Sequence, residues 1–193
     1  MWDVLNNATL GALAGAAAAF LLVAATDWRR NRRIATTLLP ALLRRLQVLV
    51  VSRVDGANSA LATVENDPPM RNIGLRFPVE RIERYADQVP DRLTERQAFA
   101  LDNLAFWMRE SDRLNAASLD LLDQIDEAHI KYTHGIVGAR DKVSSFKEIL
   151  RKRYAEERVL LARVLLVLDA YLAGKLNERG GPLDTETKSQ NGE

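Results

Sequence analysis

The chain has 193 residues, a net charge of +1 from 27 basic and 26 acidic side chains, and no cysteine. That balance gives no global bias toward nucleic acid, and the missing thiols exclude disulfides, thiolate metal sites and cysteine nucleophiles. Between an apolar N-terminal stretch and a polar C-terminal one, about 140 residues remain, enough for one domain with its own core.

The first element is an anchor. Ala8 to Thr26 carries no charge and is followed at once by Asp27, Trp28, Arg29, Arg30, Asn31, Arg32 and Arg33. At about 1.5 Å per residue those nineteen positions span roughly 29 Å, close to the hydrocarbon thickness of a bilayer. Residues 1–33 are therefore expected to form a single transmembrane helix with a basic collar; an Ala-rich helix buried in a soluble fold is the alternative. A cleaved secretory signal would carry its positive charge before the apolar run. Here no Lys or Arg precedes it. Basic residues beside a span stay on the cytoplasmic side, which places the N-terminus outside and the rest of the chain at the inner face of the plasma membrane. Arg29, Arg30, Arg32 and Arg33 then set topology and attract the anionic lipid of the inner leaflet. Gly11, Gly15 and Ala19 share one face, and such small residues let two helix backbones pack closely.

Residues 34–177 are expected to fold as an antiparallel bundle of three long helices and one short one, an all-α domain. Leu39, Leu43, Leu46, Val50, Val54, Ala57, Leu61 and Val64 recur at steps of three and four and draw the first stripe. Pro40 either opens that helix or kinks one continuous rod leaving the membrane. Asn66-Asp67-Pro68-Pro69 ends it, and Met70 to Pro78 is a loop. A short helix from Pro78 carries Val79, Ile82, Ala86 and Val89 on one face. Thr94 and Gln97 fit a capping box that starts a helix running to about Thr133, before His134-Gly135. Its apolar stripe of Leu101, Leu104, Met108, Leu122 and Ile125 is interrupted by Ser111, Asn115 and Ser118, small polar groups that need partners inside a bundle. Phe99, Phe106 and Trp107 lie off that stripe and mark a candidate contact surface.

The last helix is expected from Asp141 to Leu176. Val159 to Leu168 is apolar nearly all round and predicts burial on several sides, with Leu165 a candidate contact in an oligomer. Arg163 and Asp169 make a second span unfavourable. Residues 178–193 lack a core-forming pattern and are expected to be a disordered tail.

No catalytic or cofactor-binding constellation emerges. Asp126-Glu127-Ala128-His129 spells a helicase signature, but the chain has no phosphate-binding loop to accompany it. Asp126 and His129 form one partial version of the motif that di-metal bundles require from two helices, with further carboxylates from two others, so no metal site is assigned. Gly135-Ile136-Val137-Gly138 resembles an RNA-binding loop whose fold needs strands that are not predicted here. The sequence thus points to a non-enzymatic, membrane-anchored helical scaffold whose partners are the bilayer and either a second copy of itself or another protein, and not nucleic acid. A sensory or ligand-binding bundle using the Ser111, Asn115 and Ser118 seam as a pocket is the second reading. A carboxylate-dependent enzyme is the third.

Overall fold

The computed structural model describes residues 2–66 and 68–183, with the surroundings of side chains described from residue 16 onward. The expected Gly11 and Gly15 packing face therefore lies outside the described side chains, while Ala19 of the same face is exposed. The fold is all-α: helices α1 (Trp2–Arg33), α2 (Leu39–Ala62), α3 (Val79–Gln88), α4 (Glu95–Thr133) and α5 (Ala139–Leu172). Among the described residues the only extended pairing is one isolated bridge, Leu176 with Pro182.

Helices α1 and α2 form one rod. Between them Ile34–Leu38 is a π-helical turn, in which the Leu39 N–H donates to the Ile34 carbonyl five residues back. Pro40 supplies the reason. It has no N–H to donate, and its ring crowds the carbonyl four residues earlier, so an ordinary helical turn at this point would carry both a missing bond and a clash. Widening the turn by one residue relieves the crowding while the helix continues. The Thr36 hydroxyl donates to the Arg32 carbonyl at 2.8 Å, a back-bond of the kind that bends helices. Among the described residues one helix, near the N-terminus, is long and apolar enough to cross a membrane.

The three long helices of the domain are α2, α4 and α5, and α5 is the one that both others pack along. Its direction opposes theirs. Gln47 of α2 donates to Asp169 of α5 at 2.5 Å near one end, and Arg151 of α5 reaches Glu65 near the other. Arg153 of α5 likewise donates to the Ala117 carbonyl of α4. Helix α3 lies against α4 and buries Val79 and Ile82. Thr94 caps α4 as expected: its hydroxyl accepts the Gln97 N–H at 3.2 Å and its N–H donates to the Gln97 side chain at 3.0 Å.

The stripe on α2 departs from its expected course. Arg53, not Val54, is buried in the middle of it, with Val54 and Leu61 only half-buried. Polar residues there divide the apolar interior in two. A larger cluster near the anchor contains Leu43, Leu46, Leu104, Met108, Leu161 and Leu168, and a smaller distal one contains Ala60, Val64, Leu122, Ile125, Leu150 and Tyr154.

The end of α5 and the tail also differ from expectation. The helix starts at Ala139 behind Gly138, whose φ of +79° places it in the left-handed region, and stops at Leu172. The expected tail does not begin at Glu178. Residues 173–183 turn back on the domain: Leu176 is buried, Leu183 N–H donates to the Lys175 carbonyl at 3.0 Å, and the Asn177 side-chain oxygen accepts the N–H groups of Arg179 and Gly181. Asn103 of α4 donates to the Arg179 carbonyl at 3.1 Å. The Gly-Gly-Pro run that reads as disorder is a turn that needs its glycines. Gly180 has φ +71°, and a Cβ there would stand 2.4 Å from the Ala100 backbone nitrogen. Residues 184–193 of the expected tail lie outside the described residues.

Gly180→Ala is expected to release this turn, since a left-handed alanine alone costs about 1–2 kcal/mol and the helix backbone it meets cannot yield. Faster amide exchange at Asn177 and Leu183, whose N–H groups donate within the turn, with little change in α2, is the expected signature. Gly181→Ala, which meets only the Asn177 side chain at 3.2 Å, should be milder.

Candidate functional site

The centre of the domain is a layer of charge. The Arg53 guanidinium, 3% exposed, donates through Nη2 to Glu157 Oε1 at 2.5 Å and to the Ser111 carbonyl at 3.2 Å. Through Nη1 it meets Asp112 and, at 3.4 Å, the Leu75 carbonyl. Glu157 is fully buried and also accepts the Ser111 hydroxyl at 3.2 Å. One cation thus ties α2, α4, α5 and the Met70–Pro78 loop together. The loop closes over it: the Phe77 ring centroid is 4.5 Å from the guanidinium carbon, and the Phe77 N–H donates to Asp112 at 3.1 Å.

Two glycines make that closure possible. A Cβ on Gly74 would sit 2.9 Å from Arg53 Nε, and one on Gly56 would sit 2.5 Å from Asn72 Oδ1. Gly56 is therefore the place where α2 admits the loop, which explains a glycine in the middle of a helix. Asn72 in turn receives Asn115, whose amide donates to the Asn72 carbonyl at 2.9 Å.

The Ser111, Asn115 and Ser118 seam is consequently filled. Ser111 is engaged with Glu157, Asn115 with the loop, and Ser118 with the Leu114 carbonyl at 2.9 Å. Among these three, Asn115 alone borders a surface groove, of about 550 Å³, between α4 and the loop, with Asp112 and Phe77 in its wall. Arg109 and Arg113 at its rim are paired with Glu83 at 2.6 Å and Glu110 at 2.8 Å. Asp112 is held by Arg53 and the Phe77 N–H, which leaves it poorly placed to act as a base. Among the described residues, four buried polar atoms here and nearby have no hydrogen-bond partner: Arg53 Nε, Asn72 Nδ2, Tyr154 Oη and Glu157 Oε2. Burial, the largest influence, raises the pKa of the Tyr154 phenol.

The partial metal motif is spent on ion pairs. Arg71 donates to Asp123 at 2.8 Å and to Asp126 at 2.5 Å, and Lys131 to Glu127 at 2.5 Å. Those bonds raise the Arg71 pKa and lower that of Glu127. His129 is paired with the Tyr132 ring, at a centroid distance of 6.3 Å. No group of three or more candidate metal ligands comes together among the described residues.

The anchor is bare where it is described. Phe20, Leu21, Leu22 and Val23 are 57–73% exposed, and burial begins only at Ile34. Of the collar, Arg29, Arg30, Arg32 and Arg33 are all exposed. Trp28 lies between two guanidiniums, that of Arg32 at 5.4 Å and that of Arg92 at 5.5 Å, the latter from the turn preceding α4. Of the expected partner-facing residues, Phe99 and Phe106 are exposed, by 47% and 60%. Trp107 and Leu165 are instead half-buried against the larger apolar cluster. On α5 the exposed large apolar side chains are Ile149, Val159 and Leu166, the last two flanking the buried Leu161 and Val164. A helix apolar all round gives no sequence signal for which of its faces is outermost.

Removing the cation should strand a buried carboxylate. Arg53→Met is expected to cost about 3–5 kcal/mol of stability, and the double variant Arg53→Met/Glu157→Leu to recover much of it. Denaturant midpoints of the detergent-solubilised chain check this. Tyr171, buried at the end of α5, has its pKa raised from 10.0 to about 12. The unfolded phenol loses its proton first, so stability is fully present below pH 10 and falls as pH rises from 10 through 12. Tyr171→Phe should flatten the decline between midpoints taken at pH 9 and pH 11.

No family model matches this chain, nor does any curated protein or solved structure.

Proposed function

We propose that the chain is a non-enzymatic, single-pass membrane protein whose helical domain is a scaffold at the cytoplasmic face of the inner membrane, associating with a second copy or with a partner protein. The observation that carries the reading is the exposed apolar helix running without a break into a packed domain. An apolar rod that no part of the described chain covers needs a bilayer or another chain around it. The order of charge supports the orientation, with the basic collar after the span and none before it. Phe99 and Phe106 on α4 are the surface for association, and Gly11, Gly15 and Ala19 are the complementary contact inside the bilayer.

A second reading is a sensory bundle. It is favoured by the π-helical junction, since a rod joined rigidly to the Arg53 layer would pass a shift of the anchor into the domain. In that reading the groove beside Asp112 and Asn115, and not the filled seam, receives the ligand.

Three measurements test the scaffold reading. A reporter fused after Glu193 should be active inside the cell, and the full-length chain should resist carbonate extraction. In native membranes, crosslinking should trap a dimer or a heteromer. Phe106→Glu is expected to abolish that product with little loss of thermal stability, whereas Leu165→Glu should disturb the fold itself. Monomers alone, with no partner recovered, would count decisively against it.

A further inference from the structure

The junction where the rod enters the domain carries a groove of about 300 Å³, walled by Thr36 and Pro40 of the rod, Arg44 of α2, Arg92 of the turn before α4, Gln97 of α4 and Tyr171 of α5. None of the residues lining it is acidic. Arg44 and Arg92 have no carboxylate partner among the described residues, and Arg92 contacts instead the face of Trp28. The Tyr171 hydroxyl also has no hydrogen-bond partner among them, although the residue is only 8% exposed. Gln97 spends its side-chain oxygen on the α4 cap, which leaves its amide N–H groups for the groove.

We infer that this groove is a binding site for a phosphate-bearing anion, held by Arg44 and Arg92 with neutral donors from Tyr171 and Gln97. Two guanidiniums without counter-charges, beside neutral hydroxyl and amide donors, match the tetrahedral and multiply accepting surface of a phosphate. Surface arginines without a carboxylate partner, such as Arg45, Arg81 and Arg96, are common among the described residues; what distinguishes Arg44 and Arg92 is that they wall one groove, free of acidic side chains, together with Gln97 and the buried Tyr171. The site also joins elements distant in sequence. A bound anion would brace the anchor rod against the turn before α4 and the end of α5, where the π-helical turn is the one irregular stretch of the rod.

The phosphate has two possible sources, a lipid headgroup or a soluble phosphate. The lipid source rests on the reading that α1 spans the bilayer. Arg92 is stacked on Trp28, two residues beyond the end of the apolar run, and interfacial tryptophans lie at headgroup level. Basic pockets beside membrane helices on the cytoplasmic side are known binding places for anionic headgroups.

The test uses the full chain in detergent, with native mass spectrometry counting retained phosphatidylglycerol against phosphatidylcholine, and calorimetry titrating inorganic phosphate and glycerol phosphate. Each lost guanidinium contact is expected to weaken phosphate-ligand binding about tenfold. Arg44→Gln and Arg92→Gln should show that loss, while Arg45→Gln on the same helix but outside the groove should not; melting temperatures confirm that the variants fold. Selective retention of phosphatidylglycerol, lost in both groove variants, supports the site with a lipid as its ligand. Binding of the soluble phosphates with the same variant dependence supports the site with a soluble ligand. If neither the lipid nor the soluble phosphates distinguish the groove variants from wild type, the proposal is overturned. Carbonate extraction of the same chain reports separately on the membrane reading, so a chain that washes off the bilayer yet binds soluble phosphate refutes the anchor and keeps the groove.

Discussion

One guanidinium decides how this domain closes. Arg53 satisfies two carboxylates and two backbone carbonyls drawn from three elements other than its own, in a region where apolar packing would otherwise be continuous. Taking that many charges out of water is costly, and the attraction among them offsets the cost only when geometry and further hydrogen bonds are good. The compensation here comes from the loop. Gly74 and Phe77 seal the charges from one side, and the Phe77 N–H and Leu75 carbonyl supply polar contacts that a regular helix, with its backbone groups already paired, would not offer. The loop is therefore a structural member of the core, placed between α2 and α4 where helix-on-helix packing is slight.

Such a layer restricts register more than it raises stability. An apolar stripe tolerates sliding by a turn, because leucine packs acceptably against several neighbours. A buried cation with fixed partners does not, since a shift leaves Glu157 without its counter-charge. Register matters because α2 is the continuation of the anchor. Any rotation or displacement of the rod is opposed at Arg53, about 30 Å further along the helix from Arg33. The π-helical turn lies between the two and is the place where the rod differs from a regular helix.

Much of this architecture is legible from the residues alone, because it depends on local chemistry. The long apolar N-terminal helix follows from a run of apolar residues, the start of α4 from Thr94 and Gln97, and the end of α2 from the prolines that follow it. The polar layer is different. An arginine within an apolar stripe reads as a solvated edge, and its partners Asp112 and Glu157 are 59 and 104 residues away. Two local signs do point to it: the softening of the α4 stripe at Ser111 and Asn115, and a glycine at position 56 where helix propensity argues against one. The groove at the anchor junction leaves no such trace, since Arg44, Arg92 and Tyr171 come from three separate elements. The tail misleads for the opposite reason. Gly180 and Gly181 have the composition of a linker, and only the proximity of the Ala100 backbone shows that Gly180 is required.

The two ends of the domain differ in how they are packed. Near the anchor, the larger apolar cluster, the returning C-terminal turn and the unpaired arginines of the junction surround the entry of the rod. Distally, α4 and α5 continue past the end of α2 as a hairpin, whose turn leaves Val137 99% exposed and Ile136 52% exposed. Exposed apolar side chains at a turn add nothing to the stability of the fold, whereas the buried members of the larger cluster do. Between those ends the Arg53 layer joins all three long helices, with the cation on α2, Asp112 on α4 and Glu157 on α5.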